Sequence, residues 1–136
     1  MKEFLWPVRV FYEDTDSGGV VYHTNYIKFL ERTRTELLRS IGFEQDQLKD
    51  QENIIFAVRA INVDYLKPAR FNDQLLVSAR IKRIGPASIL FKQSIIRETD
   101  DTLLCQAEVK IACLAADSLR PCPIPENITR EISHAD

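Results

Sequence analysis

The spacing of hydrophobic and polar residues changes several times along the chain. Over residues 6–12 every second position is apolar, which is the pattern of a half-buried β-strand. Over residues 24–42 apolar residues recur every third or fourth position, and this spacing predicts a long amphipathic helix. Thr24 is the predicted N-cap of that helix and Gly42 its C-terminal stop. A short second helix is expected at about residues 45–50.

The rest of the chain alternates apolar and polar residues in four further runs. In residues 53–65 the parity of the alternation reverses near residues 59–61, which predicts a β-bulge. Residues 103–113 form the most regular alternation of the chain, and Gly85-Pro86 marks a turn between two strands. One strand, one long helix and four more strands joined by short turns predict an α+β domain. Its antiparallel sheet should wrap around the helix.

Length and composition narrow the class of protein. The 136 residues fit one domain, residues 1–136, and the net charge of −2 argues against an extended nucleic-acid interface. No apolar run reaches the ~20 residues of a membrane span, and the N-terminus lacks the core of a signal peptide. Three cysteines without metal-ligand spacing fit a reducing compartment, so we expect a cytoplasmic protein with no transmembrane segment and no metal site. The open edges of the sheet predict pairing into a homodimer.

The segment that joins the first strand to the helix contains the candidate chemistry. If the strand alternation continues, Asp14 and Asp16 lie on its apolar face, where a carboxylate needs a partner or an open cleft. The pair Gly18-Gly19 lets a ligand approach the backbone closely. The free N–H groups that begin the helix, from Tyr22 onward, can stabilise negative charge on a carbonyl oxygen.

These residue types suit the addition of water to an acyl group. Asp16 could serve as the general base or attack the carbonyl itself, with Gly19 and Tyr22 contacting the substrate. The same residues also form an ordinary strand-to-helix turn, and His23 is then a partly buried histidine at a helix start. No G-x-S-x-G motif is present. Glu31 and Arg34 are expected to be solvated or paired on the polar side of the helix.

The segment YEDTDSGGVVYHTNYIKFLERTRTE resembles the opening of the hotdog-fold acyl-CoA thioesterases of the 4-hydroxybenzoyl-CoA thioesterase type. It is most similar to the subgroup associated with the bacterial Tol–Pal envelope system. The resemblance continues through VDYLKPARFNDQL and AEVKIACLAADSLRPCPIP and covers residues 6–125. It implies a five-stranded antiparallel sheet wrapped around one long helix. It also implies dimers joined edge to edge, which often pair into tetramers.

The resemblance also implies roles for particular residues. Asp16 occupies the position of the catalytic carboxylate, as base or nucleophile, and the backbone N–H of His23 polarises the thioester carbonyl. The side chain of His23 is a further feature of the subgroup. Lys82, Arg83 and Ser88 flank a turn at which this fold meets the pantetheine arm of coenzyme A, although a solvated hairpin tip would look the same.

The function predicted on this basis is hydrolysis of acyl-CoA thioesters, or of acyl-carrier-protein thioesters, to a free acid and a thiol without a cofactor. The gene neighbourhood of the subgroup points by analogy to lipid or envelope metabolism. Two other classes stay open. One is a hotdog-fold hydroxyacyl dehydratase, in which Glu31 would have to supply the acid. The other is a non-catalytic acyl-CoA-binding or envelope-associated interaction module.

Overall fold

The computed structural model describes residues 2–134. The elements are β1 (Phe4–Arg9), α1 (His23–Ser40), α2 (Gln45–Glu52), β2 (Ile54–Tyr65), β3 (Gln74–Ile84), β4 (Ser88–Arg97), β5 (Thr102–Ala115) and α3 (Glu126–His134). The strands form one five-stranded sheet in the order β1-β3-β4-β5-β2, and all neighbouring pairs are antiparallel. Helix α1 packs against β3 and β1. The predicted α+β class and five-stranded sheet are confirmed.

The core lies between α1 and the inner face of the sheet. Phe29, Leu30 and Leu37 on the helix are fully buried, as are Val77 on β3 and Phe91 on β4. Burial alternates along β3, β4 and β5, because successive side chains of a strand point to opposite faces. Each such side chain contributes ~1.5–3 kcal/mol when it leaves water, and this packing fixes the position of α1.

The two ends of α1 differ in how well the sequence predicted them. The prediction of Thr24 as N-cap was wrong, since the helix begins at His23 and Tyr22 is its N-cap. The N–H of Tyr22 donates to the carbonyl oxygen of Asp14 at 3.0 Å, and this tertiary contact sets the entry of the chain into the helix. The prediction of Gly42 as the stop is confirmed. Gly42 has φ 98° and follows the C-cap Ile41, as in a Schellman motif.

The first strand is shorter than its alternation suggested. Strand β1 ends at Arg9, and Tyr12–Asp14 form a 3₁₀ turn. Tyr12 is 74% exposed and stacks on Phe71 with ring centroids 3.7 Å apart. The expectation that Asp14 and Asp16 continue the inner face of the strand was therefore wrong. The backbone leaves the strand before either residue.

The last strand in the sheet order, β2, has an open edge. Its register with β5 shifts between Val58 and Ala60, which confirms the predicted bulge. Among the described strands β2 pairs only with β5, and it exposes the apolar side chains of Val58, Ile61 and Tyr65. Within residues 2–134 no helix is long and apolar enough to cross a membrane.

A buried polar pair ties the helix to the sheet. The expectation that Arg34 lies solvated or paired on the polar side of the helix was wrong, because Arg34 is only 4% exposed. Its Nη1 donates to Oε1 of Gln93 on β4 at 2.9 Å, and Nε2 of Gln93 donates to the carbonyl oxygen of Leu30 at 3.0 Å. Burial lowers the pKa of Arg34 to about 10. Glu31 is exposed, as expected.

Candidate active site

A compact loop presents Asp16 in front of α1. Thr15 and Val21 form an antiparallel bridge that closes the loop, and the N–H of Asp16 donates to the carbonyl oxygen of Val20 at 2.9 Å. The N–H of Gly19 donates to the carbonyl oxygen of Asp16 at 3.1 Å. Gly19 has φ 79°, a conformation that favours glycine. The backbone therefore holds Asp16 in one position although its side chain is exposed.

The two oxygens of the Asp16 carboxylate have different surroundings. Oδ1 accepts a hydrogen bond from the N–H of Gly18 at 2.8 Å. A Cβ atom on Gly18 would lie 3.2 Å from this oxygen, so glycine permits the close approach. Within residues 2–134 no protein donor bonds to Oδ2. One oxygen is thus anchored, and the other is left for a water molecule or a substrate.

Asp14 serves the structure of the same loop. Its Oδ2 accepts from the N–H of Phe11 at 2.8 Å. Its carbonyl oxygen accepts from the N–H of Tyr22 at 3.0 Å and from Nδ2 of Asn25 at 2.8 Å. The carboxylates of Asp14 and Asp16, two positions apart in sequence, therefore have different roles. Asn25 was not identified from the sequence, since a polar residue in a first helical turn is too common to be a signal.

The start of α1 offers unpaired backbone donors. The first N–H groups of a helix have no carbonyl partner within the helix. Here the N–H of Asn25 donates back to Tyr22 at 2.8 Å. In the described part of the chain, the N–H groups of His23 and Thr24 donate to no backbone acceptor, and Tyr22 provides no side-chain cap. With the positive end of the helix dipole, these donors form a site suited to a developing oxyanion.

Two tyrosines fix the helix start from the sheet side. The hydroxyl of Tyr65 donates to the carbonyl oxygen of His23 at 3.0 Å, and the hydroxyl of Tyr26 accepts from the N–H of Ala69 at 2.9 Å. Burial raises the pKa of both tyrosines, so both hydroxyls stay protonated. His23, Tyr65 and Lys67 line a cavity of about 270 Å³. Sequence reasoning missed Tyr65, because it lies 42 positions from His23.

The second group of predicted residues lies around the β3–β4 turn. Nζ of Lys82 pairs with Oε1 of Glu108 at 2.7 Å, and both side chains are about half exposed. Arg83 is exposed. The N–H of Gly85 donates to the carbonyl oxygen of Ser88 at 2.8 Å and closes the turn. Lys82 is thus available only if another anion displaces the carboxylate of Glu108.

Ser88 borders a cavity of about 620 Å³ that it shares with Arg59, Leu119 and Pro121. This cavity is distinct from the one beside His23. The predicted site residues therefore fall into two groups. The first group lies in a single segment and consists of Asp16, Gly19, Tyr22 and His23. The second group lies around a different opening and consists of Lys82, Arg83 and Ser88. Both openings border the exposed strand β2, at residues 57–59 and at residue 65.

Comparison with known proteins identifies the class to which a chain with this fold and this Asp16 loop belongs. Residues 10–132 match the Thioesterase-like superfamily, and the chain belongs to this superfamily. It is 44% identical over 128 residues to the acyl-CoA thioester hydrolase YbgC of Escherichia coli O6:H1, covering 94% of each chain. It is 40% identical over 131 residues to the acyl-CoA thioesterase YbgC of Haemophilus influenzae, covering 96% of this chain and 95% of that protein.

Solved structures agree with the architecture. A probable thioesterase from Bartonella henselae is 32% identical and superimposes with a TM-score of 0.86, covering 91% of this chain and all of that one. A 1,4-dihydroxy-2-naphthoyl-CoA thioesterase from Synechocystis superimposes with a TM-score of 0.90 at 21% identity, covering 97% of this chain and 96% of that one. The predicted hotdog fold is confirmed.

Proposed function

We propose that this protein hydrolyses acyl-CoA thioesters to a free acid and coenzyme A. The observation that carries the proposal is the juxtaposition in one segment of an anchored carboxylate, Asp16, and the unpaired N–H groups of a helix start at His23. The names of the relatives from Escherichia coli and Haemophilus influenzae support the same activity.

The arrangement suits addition of water to a thioester carbonyl. As a general base, Asp16 takes a proton from water through its free Oδ2, and the hydroxide attacks the carbonyl carbon. The oxyanion that forms accepts from the N–H of His23, a type of contact worth ~3–4 kcal/mol in the transition state. The tetrahedral intermediate then collapses, the carbon–sulfur bond breaks, and the departing thiolate takes up the proton that Asp16 holds. If Asp16 attacks instead, an anhydride forms that water hydrolyses, and the same donor serves both steps.

The first group of predicted residues receives the reacting end of the substrate in this scheme. Gly19 and Tyr22 flank the carbonyl from the loop side, where glycine leaves room for a ligand to pass close to the backbone. The ring of His23 lies 4.5 Å from that of Tyr22 and faces the cavity shared with Tyr65. We assign the His23 side chain to contact with the thioester, beside its backbone donor.

The second group suits the coenzyme A arm. Ser88 and Arg59 offer a hydroxyl donor and a cation at a largely apolar opening. Lys82 and Arg83 add positive charge at the nearby strand end. An exposed ion pair such as Lys82–Glu108 contributes little to stability, so a phosphate group can readily compete for Lys82.

A homodimer joined through β2 would complete the site. Strand β1 contains Pro7, which has no N–H to donate to an added strand, whereas β2 is 12 residues long and contains no proline. In an antiparallel pair of β2 strands centred near Ile61, Tyr65 of one copy lies opposite Ala57 of the other. This pairing would place the cavity beside His23 next to the second copy's cavity beside Ser88.

The rival enzyme class fits the geometry less well. A dehydratase needs a histidine and an acid that act together on one substrate. Glu31 is eight positions along the helix from His23, which corresponds to ~12 Å of rise. Glu31 is also exposed, and its Oε1 accepts from the hydroxyl of Thr35 at 3.4 Å. The loop closed by the Thr15–Val21 bridge instead presents the carboxylate of Asp16 ahead of the helix start, which favours hydrolysis.

A panel of acyl-CoA esters with short, long and aromatic acyl groups tests the proposal. We expect release of free thiol from at least one of them and no hydration of an enoyl-CoA. Binding of the esters without thiol release would instead indicate the non-catalytic module. Thiol release only from acyl-carrier-protein thioesters would indicate that the acyl group of the substrate is attached to that carrier protein and not to coenzyme A. Assembly into tetramers, cytoplasmic location and a link to the Tol–Pal system stay predictions.

A further inference from the structure

Two cysteines face each other across a short antiparallel ladder near the C-terminal end of the sheet. Cys113 lies on β5 and is fully buried, whereas Cys122 is partly exposed. Their Sγ atoms are 3.7 Å apart. The N–H of Cys122 donates to the carbonyl oxygen of Cys113 at 3.0 Å, and Leu114 forms an antiparallel bridge with Pro121. The backbone therefore holds the two cysteines directly opposite each other.

This placement satisfies the geometric condition for a disulfide. Directly opposed residues of antiparallel strands have Cα atoms ~4.5–5.5 Å apart, which lies within the ~4.4–6.8 Å that a disulfide spans. Only side-chain rotation is needed to bring the sulfur atoms into bonding distance. We propose that Cys113 and Cys122 form a redox site in which a peroxide closes a reversible disulfide.

The reaction conserves atoms and electrons. The thiolate of Cys122, the more accessible sulfur, attacks one oxygen of hydrogen peroxide, which gives a sulfenic acid and hydroxide. The sulfur of Cys113 then attacks Sγ of Cys122, the sulfur–sulfur bond forms, and water leaves. Two thiols are oxidised by two electrons in total, and one peroxide is reduced to two water molecules. Burial raises the pKa of Cys113 and also keeps this sulfur from solvent, so the first attack falls to the partly exposed Cys122.

The bond would act on the rim of the cavity beside Ser88. The segment between the two cysteines contains Leu119 and Pro121, and both line that cavity. Leu119 is 62% exposed and has φ 59°, a conformation that leucine rarely adopts. A disulfide at the base of this segment restricts how far Leu119 can move away from the opening. Its effect on catalysis rests on the proposed function, whereas formation of the bond does not.

The test is mass spectrometry of the folded protein before and after treatment with hydrogen peroxide. We expect the wild type to lose the mass of two hydrogen atoms, and the number of free thiols to fall from three to one. Dithiothreitol should restore both values. Cys105→Ala is the matched control, because Cys105 is also buried: it should lose the same two hydrogen atoms, and its free thiols should fall from two to none. Cys122→Ser should not lose the two hydrogen atoms.

Retention of three thiols by the treated wild type, or a bond that includes Cys105, would overturn the proposal. Hydrogen exchange provides the second readout. The amides of residues 117–122 should exchange more slowly in the oxidised protein, and an unchanged rate would contradict restriction of the rim. Both measurements are made without substrate, so a protein that forms the bond but hydrolyses no thioester would refute only the proposed function. If it is active, oxidation should change KM by at least about threefold, with kcat less affected.

Discussion

The hydroxyl of Tyr65 donates a hydrogen bond to the carbonyl oxygen of His23 across 3.0 Å. The last residue of β2 thus holds the first residue of α1, whose N–H is the proposed oxyanion donor. This one contact therefore connects the edge strand β2, where a second copy could pair, to the part of the site that would hold the thioester carbonyl. The position of β2 and the position of the oxyanion donor are coupled in consequence.

Removal of this contact should reduce both turnover and stability. We expect Tyr65→Phe to lower the free energy of unfolding by ~0.5–1.5 kcal/mol, the usual contribution of one hydrogen bond. The value of kcat should fall by about tenfold if the loss of orientation costs ~1.4 kcal/mol in the transition state. Tyr12→Phe is the control, because Tyr12 is 74% exposed. Steady-state kinetics and urea unfolding provide the two readouts, and equal kinetics for both variants would contradict the coupling.

The neighbouring glycines of the loop should respond differently to alanine. In Gly18→Ala the added Cβ would lie 3.2 Å from Oδ1 of Asp16, so we expect the carboxylate to shift and kcat to fall with little change in stability. In Gly19→Ala the added Cβ meets no atom within 4 Å, but φ is 79°. The strain should cost ~1–2 kcal/mol of folding free energy. Thermal unfolding and kcat, measured for both variants, separate the two effects.

The buried pair formed by Arg34 and Gln93 predicts a non-additive pattern of stability. Gln93→Met removes the acceptor of the buried Arg34 guanidinium and should cost ~2–4 kcal/mol, since a buried charge is left without a partner. Replacing both residues with methionine should cost less than Gln93→Met alone. Urea unfolding of the two single variants and the double variant gives the coupling energy. Additive losses would contradict the role assigned to the pair.

The open edge of β2 predicts a dimer that a single charge can disrupt. Ile61 is 38% exposed at the centre of that edge, so Ile61→Lys should give a folded monomer with little thioesterase activity. Leu5→Lys is the matched control on β1, where Leu5 is 50% exposed. Sedimentation velocity should find the control dimeric. If Leu5→Lys were monomeric and Ile61→Lys remained dimeric, the dimer interface would lie at β1 and not at β2.

The periodicity of the sequence predicted the sheet, the long helix and the bulge, because burial on one face imposes a fixed spacing on apolar residues. Residue types and the resemblance to a family singled out the segment that contains Asp16 and His23, and its catalytic role stays a prediction. The N-cap was mispredicted because Asp14 and Ala69 position the chain through tertiary hydrogen bonds. Propensity alone contains no information about such contacts.

Arg34 and Tyr65 were missed for a related reason. Position 34 lies on the same helix face as Leu30 and Leu37, a pattern that indicates burial, but an arginine is normally solvated. Its partner Gln93 lies 59 positions away in sequence. The polar contacts of Arg34 and Tyr65 are long-range, and the topology of the sheet creates them.

Thiol release by Asp16→Asn, on the best acyl-CoA substrate of the wild type, tests the central claim most directly. Asparagine keeps the shape of the side chain and an oxygen that can accept from Gly18, but it can neither take up a proton from water nor act as a carboxylate nucleophile. We predict a fall in kcat of ~10²–10⁴-fold, the usual contribution of general acid–base catalysis, with unchanged thermal unfolding. Glu13→Gln, which removes a nearby exposed carboxylate, should keep wild-type kcat. A folded Asp16→Asn protein with wild-type turnover would contradict the account.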